Sequence, residues 1–131
     1  MDNYNFSRID INNPKIKTIN IKQDNPMAGI AVYYLEKEIY ASQQMGIEVL
    51  KVIHGYGSHG RGGEIKKEVK KYLKDAEKTK KIRFFVSGDS WSNLNENVKL
   101  LEENYPSLII DEDIKNINSG ITVVYIKPLD K

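Results

Sequence analysis

Both histidines of the chain lie in one short glycine-rich stretch. His54 and His59 are side chains that can transfer a proton near neutral pH, and around them glycine occupies positions 55, 57, 60, 62 and 63. Glycine lacks the Cβ atom that keeps a ligand away from backbone N–H groups. The apolar run 49–53 predicts a buried strand before the loop, and the pattern from Glu64 onward predicts a helix after it. Because a glycine loop that opens a helix collects free N–H donors, the stretch predicts a site for a phosphate or another anion.

Basic side chains near the loop complete the predicted phosphate-binding site. Arg61 lies within the loop and Lys66 in the first turns of the helix, so their charges would converge with the loop N–H groups. His54 directly follows a strand and is expected to emerge at a fixed place, whereas His59 lies among small residues. Alternatively, His54 only fixes the neighbouring turn by a hydrogen bond, and His59 is an exposed loop residue without a role in the site. The predicted binding residues are Lys22, Gly55, Gly57, Ser58, Gly60, Arg61 and Lys66.

The loop does not fit two common nucleotide-binding patterns. Residues 55–60 formally match G-x-G-x-x-G. A dinucleotide fold, however, needs the loop after its first strand, an acidic residue about 20 positions later and a second half, for which too little chain remains. A Walker loop needs Gly-Lys-Ser/Thr, where this chain has Gly60-Arg61-Gly62. No nucleotide cofactor is therefore predicted.

Two stretches resemble motifs of the small MutS-related (Smr) domain family. Ile53-His54-Gly55-Tyr56-Gly57 resembles the His-Gly-x-Gly loop that closes a strand and opens a helix in that family. Residues 119–127, with Gly120, Thr122 and Val124, resemble its final Gly-x-Thr-x-Val strand. The resemblance covers residues 16 to 127, and it implies a domain that binds DNA or RNA and can carry nuclease activity. His54 and His59 are the catalytic candidates.

The end of the first predicted strand departs from the family pattern. Many relatives have Leu-Asp-Leu-His/Arg-Gly there, whereas residues 19–23 of this chain read Ile-Asn-Ile-Lys-Gln, without the acidic residue and the histidine. Lys22 can still supply positive charge beside the loop, and Asp24 a carboxylate at a shifted position. A divalent metal would need Asp24 or Asp89 as further ligands, because two histidines in a glycine loop do not make a ligand set.

Positive charge is concentrated in the middle of the chain. Residues 61–83 carry ten basic and four acidic side chains, residues 1–60 six of each, and residues 84–131 four basic and eight acidic. A basic segment attached to an anion-binding loop favours a polyanion such as DNA or RNA as partner. The lysines that fall on the outer side of the predicted helix, for which a solvated helix face is the alternative explanation, are Lys67, Lys70, Lys71, Lys74 and Lys78.

Composition excludes several classes of protein. The chain has no cysteine, so disulfides, thiolate zinc sites and cysteine nucleophiles are excluded. Apolar runs are too short to span a membrane, and the first residues do not resemble a signal segment, so no membrane association and a cytoplasmic location are expected. The length of 131 residues suffices for one domain with its own core. The oligomeric state stays open.

Hydrophobic periodicity predicts an α/β fold. One helix is expected from Pro26, with Asn25 as N-cap and Gly46 as its stop, and a second from Glu64 to about Ala76. Strands are expected at 16–22, 49–53, 82–88 and 119–127. The element order is β-α-β-α-β-(α)-β, which predicts a two-layer sandwich with a small mixed four-stranded sheet. His54 and Lys22 then lie at the carboxyl edge of the sheet.

The remaining segments are a tail and an insertion. Residues 1–14 are polar and without period, which indicates a flexible tail or an edge-packing arm before an Smr-like domain at 15–131. Residues 89–118 exceed the usual family length. Within them a helix is expected from the spacing of Leu94, Val98, Leu101 and Tyr105, a short strand at 108–110, and Trp91 either in the core or as a platform for a stacked base.

The sequence leaves two classes of function. The first is nucleic-acid binding, with the phosphate backbone held by the loop and the basic helix, and with weak endonuclease activity as an alternative. The second is a non-catalytic protein-interaction module. Binding without strong catalysis is favoured, because the first family motif lacks the acidic residue and the histidine that proton transfer would use.

Overall fold

The fold is built on one five-stranded sheet. The computed structural model describes residues 7–55 and 62–128, and the strand order among them is β1-β2-β3-β5-β4. Neighbours β2 and β3 run parallel, whereas the other three pairs are antiparallel. The predicted α/β class and mixed sheet are confirmed, with five strands in place of four. The strands are β1 (Ser7–Asp10), β2 (Asn13–Asn20), β3 (Val49–Ile53), β4 (Phe84–Ser87) and β5 (Ile121–Tyr125).

The additional strand, β1, comes from the segment interpreted as a tail or an edge-packing arm. Ser7 pairs with Ile19, and Arg8 with Thr18, in an antiparallel hairpin with β2. The turn between the strands is closed by Asp10, whose carboxylate accepts a hydrogen bond from the Asn12 N–H at 2.7 Å. Residues 7–10 are thus an edge strand of the sheet.

Two long helices cover one face of the sheet. They are α1 (Ala28–Gln44) and α2 (Gly62–Lys78). Both predicted helices are confirmed. Leu35 and Ile39 of α1, and Ile65, Val69 and Leu73 of α2, are buried in one core with the inner side chains of β2, β3 and β5. This helix layer and the sheet form the predicted sandwich, to which the segment between β4 and β5 adds a layer on the other face.

The start of α1 differs from the prediction, whereas its end agrees. The N-cap is Met27, which makes no side-chain capping bond. Asn25, predicted as N-cap, has a φ of 50° and Asp24 a φ of 66°, so both are left-handed turn residues. Gly46 ends the helix with a φ of 84°, the left-handed conformation that favours glycine after a helix.

The segment between β4 and β5 packs on the opposite face of the sheet. It contains α3 (Glu96–Asn104), α4 (Glu112–Lys115) and two 3-10 turns, Gly88–Ser90 and Pro106–Ile110. These elements form a second core, whose members from the segment are Val98, Leu101, Tyr105, Leu108 and Ile114, and whose members from the sheet include Ile16, Val49, Val86 and Val123. One sheet therefore separates two apolar cores.

Three expectations for this segment can be compared with the structure. The helix is confirmed, but Leu94 precedes α3 and is 85% exposed, so it does not share the buried stripe. The strand expected at 108–110 is wrong: Pro106 begins a 3-10 turn there, in which Leu108 is buried while the next two residues are exposed. Trp91 packs partly buried against the second core, and its Nε1–H donates to Glu102 Oε2 at 3.1 Å.

A charged contact ties this segment to the central strand. Lys51 of β3 has a side chain only 11% exposed, and its Nζ lies 3.0 Å from Asp111 Oδ2 and 2.6 Å from Asp113 Oδ2. Asp111 also caps α4 by accepting a bond from the Ile114 N–H at 3.1 Å. The hydrogen bond from Lys51 holds the pKa of Asp113 below its ordinary value, although partial burial opposes this. The contact fixes α4 over β3.

The helices show no membrane-spanning character. Within 7–55 and 62–128, none is long and apolar enough to cross a bilayer.

Candidate functional site

The site lies at the edge of the sheet where β2, β3 and β4 end and β5 begins. Asn20 pairs with Ile53, and Ile53 with Ile121, so the last residues of β2 and β3 lie beside the first residue of β5. Ser87 at the end of β4 pairs with Thr122. His54 follows β3 directly, and Lys22 follows β2 by two residues. This is the arrangement that the sequence predicted for the two side chains.

His54 is buried and held at both ring nitrogens. It is 0% exposed, with Nδ1 2.8 Å from the carbonyl oxygen of Gly55 and Nε2 2.8 Å from the hydroxyl oxygen of Thr122. A carbonyl oxygen can only accept, so we assign the proton to Nδ1, which donates to Gly55 O. Nε2 then accepts from the Thr122 hydroxyl, and the imidazole is neutral.

The electrostatic setting of His54 favours this neutral form. Burial lowers the pKa of His54, because a charged ring would lose hydration, and the nearby charge of Lys66 lowers it further. The hydrogen bond to Gly55 and the charge of Asp89 oppose the shift without reversing it. His54 is therefore uncharged at neutral pH.

The backbone around His54 joins the two family-like motifs. The N–H groups of His54 and Gly55 both donate to the carbonyl oxygen of Gly120 at 3.0 Å. Gly55 has a φ of 81°, a conformation that a side chain would strain. Thr122 and Gly120 were quoted from the sequence only as parts of a strand motif, and their contacts to the loop were missed. The sequence offered one indication of these contacts, which is that both stretches resemble motifs of the same family.

Lys66 is paired with a carboxylate of the insertion. Its Nζ lies 3.4 Å from Asp89 Oδ2, with the two side chains 29% and 47% exposed. A partly exposed pair of this kind contributes only about 0–1 kcal/mol to stability, so an anionic ligand can compete for the lysine. Asp89 was considered from the sequence only as a metal ligand.

Lys22 is exposed at the turn where the first family motif is altered. Its N–H donates to the side-chain oxygen of Asn20 at 3.1 Å, so Asn20 closes the turn. The N–H of Ile21 continues the pairing of β2 with β3 by donating to Ile53 O at 3.1 Å. The ammonium group of Lys22 therefore projects from a turn fixed to the same edge as His54.

The outer face of α2 carries a ridge of lysines, hereafter the lysine ridge: Lys67, Lys70, Lys71, Lys74 and Lys78. All five are exposed. Among the residues that the structure describes, none of the five lies within ion-pair distance of a carboxylate, whereas lysines 15, 17, 51, 66 and 115 do. Among the described residues, the ridge is thus a strip of exposed lysines without ion-pair partners that starts near the carboxyl edge of the sheet.

Several predicted site residues lie outside the described ranges. These are Gly57, Ser58, His59, Gly60 and Arg61, and their assigned roles stay predictions. Within the described part of the chain, no three His, Asp or Glu side chains lie close enough together to hold a metal ion.

A scan against protein-family models matches the chain to one family. Residues 29–89 match the Smr domain. The matched segment runs from the start of α1 through β3 and α2 to the end of β4, and it includes His54, Gly55 and Lys66. The resemblance to the Smr family is thereby confirmed over this segment, which ends before the second motif at 119–127. Smr domains are known for nucleic-acid binding and for nicking endonuclease activity. The search of curated proteins found no match.

Proposed function

We propose that this Smr-like domain binds nucleic acid. The carboxyl edge of the sheet and the lysine ridge would contact the phosphate backbone of the nucleic acid. The observation that carries the proposal is the ridge itself, five exposed lysines without carboxylate partners among the described residues. A regular strip of positive charge attracts a polyanion at long range and gains counterion release for each phosphate neutralised. Lys22 and Lys66 extend the strip to the edge where His54 is anchored, whereas the N–H of Gly55, predicted to bind phosphate, donates instead to Gly120 O.

In this proposal His54 positions the loop and does not transfer protons. Protonation of Nε2 would reverse its hydrogen bond with the Thr122 hydroxyl and place a charge where the ring is 0% exposed. The ring instead joins β3 to β5 and fixes Gly55 at the start of the loop. Hydrolysis by the domain would then depend on His59 and Arg61, and endonuclease activity is the second candidate function because Smr domains include nicking enzymes.

The pair between Lys66 and Asp89 gives the site a competing internal anion. A phosphate that approaches Lys66 must displace a carboxylate 3.4 Å away. Asp89→Asn would remove this competitor while leaving Lys66 in place. We expect tighter binding of the variant to every nucleic acid that wild type binds, with a larger effect at low salt, because exposed ion pairs are screened by salt.

The test is a fluorescence-anisotropy titration of labelled single-stranded and duplex DNA and RNA at several salt concentrations. The double variant Lys71→Ala, Lys74→Ala should weaken binding to all sequences about equally. For duplex DNA the slope of log K against log salt should shrink by about two, since each lost phosphate contact removes about 0.9.

The matched control is the double variant Lys99→Ala, Lys115→Ala, which removes the same charge from α3 and α4 on the opposite face of the sheet. Its affinity and salt slope should stay near those of wild type. If both double variants lose affinity equally, net charge alone explains the loss, and a specific role of the ridge is contradicted. No binding by wild type at low salt would favour a protein-interaction module. A cleavage gel with added Mg²⁺ on the same samples tests the endonuclease alternative.

A further inference from the structure

A second candidate site lies at the end of the molecule opposite to His54. A cavity of about 560 Å³ opens between the C-terminal halves of α1 and α2 and the segments that precede β4 and follow β5. We call it the basal pocket and define it by Tyr40, Gln43, Tyr72, Lys80, Lys81 and Lys127, which all line it. Its volume is in the range of small-ligand sites.

The floor of the basal pocket is rigid. The side-chain amide of Gln43 donates to two carbonyl oxygens, those of Lys81 and Ile126, each at 2.9 Å. Arg83 holds the neighbouring segment, because its guanidinium donates to Lys127 O at 2.8 Å and to Pro128 O at 2.9 Å. The guanidinium also lies 5.4 Å from the centre of the Tyr125 ring. The pocket is therefore preformed by bonds among elements that the fold already fixes.

The walls of the basal pocket combine aromatic rings with positive charge. Tyr40 stands at the rim and is 67% exposed, while Tyr72 is half-buried. Lys80 and Lys81 are exposed, Lys127 is half-buried, and among the described residues Glu36 is the one acidic side chain that lines the cavity. Burial, followed by the charges of Glu36 and Asp75, raises the pKa of Tyr72 and keeps its hydroxyl protonated. Aromatic platforms beside cations are the combination that single-stranded nucleic acids use, with bases stacked on rings and phosphates on lysines.

Lys80 occupies a backbone position that normally favours glycine. It has a φ of 64°, and it ends α2 with the Lys80 N–H bonded to Glu77 O and the Lys81 N–H bonded to Ala76 O. This is a Schellman motif, in which the left-handed residue is usually glycine because a Cβ is strained there. The chain places a lysine at this position, on the lip of the pocket.

Lys80 and Lys81, which line the pocket, follow the last lysine of the ridge, Lys78, by two and three residues. The 17 residues of α2 span about 25 Å, and the ridge follows the helix from the loop towards Lys78 and Lys80. A backbone lying on the ridge would bring one base of a single strand over the basal pocket. A base within a duplex cannot enter without losing its pairing and stacking.

We propose that the basal pocket takes one unpaired nucleobase of a single-stranded nucleic acid whose phosphates follow the lysine ridge. The base stacks on Tyr40, and Lys80, Lys81 and Lys127 contact the flanking phosphates. This inference rests on the proposed nucleic-acid binding and deepens it, because it names the unpaired strand as the preferred substrate.

The experiment measures binding of a labelled single strand of about 12 nucleotides, within the range of known single-strand sites, and of a duplex of the same length. Tyr40→Ala should weaken binding to the single strand about tenfold and leave duplex binding unchanged, since only the unpaired base loses its stacking platform. Tyr40→Phe should keep wild-type affinity, because the ring remains. The matched control is Tyr33→Ala on the same helix, which removes an exposed ring that does not line the pocket.

A second variant separates binding from folding. Lys80→Gly relieves the left-handed strain and should raise the midpoint of urea unfolding, yet it should weaken single-strand binding because one cation is lost. Wild-type affinity of Tyr40→Ala for the single strand, or an equal loss with the duplex, would overturn the pocket assignment while leaving the ridge intact. Failure of wild type to bind any strand at low salt would instead overturn the proposed function on which it rests.

Discussion

At the scale of single residues, the fold uses His54 as a neutral hydrogen-bonding side chain. Its two ring nitrogens connect Gly55, next to it in sequence, with Thr122, which is 68 positions away. Burial of a neutral histidine makes the stability of the fold sensitive to acid, because the ring takes up a proton more readily in the unfolded chain than in the folded one.

The first prediction concerns this sensitivity. The pKa of His54 is lowered in the fold from its ordinary value of 6.5, so the unfolded chain binds the proton more readily. Stability is therefore full above pH 6.5 and falls as the pH drops towards the folded-state pKa, by at most about 1.4 kcal/mol per pH unit. His54→Gln should be less stable at pH 7 but lose less stability between pH 7 and pH 5.

Urea unfolding at pH 7, 6 and 5 measures the effect. The matched variant His59→Gln, which removes the other histidine, should retain the wild-type dependence of the unfolding free energy on pH. If that dependence disappears in His59→Gln and persists in His54→Gln, the titrating group is not His54.

The sequence could locate His54 but not its partners. A histidine after an apolar run predicts its place at a strand end, because that reasoning is local. The bond to Thr122, the shared acceptor Gly120 and the pairing of Lys66 with Asp89 depend on how distant segments pack. The resemblance of both motifs to one family linked the two stretches, but it did not indicate which atoms meet.

At the scale of elements, the turn before β5 is fixed by close contact with the end of β4. A Cβ added at Gly88 would lie 2.0 Å from Asn118 O and 2.8 Å from Ile121 Cγ1. Asn118 also accepts the Gly120 N–H at 2.7 Å through its side-chain oxygen. The same turn therefore carries the carbonyl that receives the N–H groups of His54 and Gly55.

The second prediction compares two glycines. Gly88→Ala should destabilise the domain by about 1–3 kcal/mol, since the backbone atom in the way cannot move without displacing β5. Gly29→Ala lies in α1, where a Cβ meets nothing within 4 Å, and it should be neutral or stabilising by up to about 1 kcal/mol. Chemical unfolding of both variants measures the difference. A Gly88→Ala variant as stable as Gly29→Ala would contradict the close packing.

Elements with clear periodicity were predictable, and short ones with non-local partners were not. The stripes of α1 and α2 repeat over 17 residues each, which fixes their buried faces. Strand β1 has four residues, Ser-Arg-Ile-Asp, with one apolar side chain, and its existence follows from pairing with β2. The expected strand at 108–110 failed because three apolar residues in a row fit a 3-10 turn as well as a strand.

At the scale of the whole molecule, the sheet is shared by two cores and should make them fold together. The strands β2, β3, β4 and β5 send alternate side chains to the α1–α2 layer and to the segment with α3 and α4. Loss of either layer exposes one face of the same strands.

The third prediction tests this coupling. Leu35→Ala in the first core and Leu101→Ala in the second should each cost about 2–5 kcal/mol, because both side chains are 0% exposed. In wild type and in both variants, far-UV circular dichroism and the fluorescence of Trp91, the single tryptophan of the chain, should report one coincident urea transition. An earlier fluorescence transition would show that the second layer unfolds independently.

The contact between Lys51 and the two aspartates has a consequence for anyone who wishes to engineer a smaller version of this domain. Cutting 89–118 down to a short connection would remove Asp111 and Asp113 and strip the apolar cover from Ile16, Val49 and Val123. Lys51 would then lack both carboxylate partners in the middle of an apolar sheet face that is exposed to water. A workable truncation must therefore redesign that face, beginning with a polar surface in place of the lost core, because the added segment has become part of the scaffold.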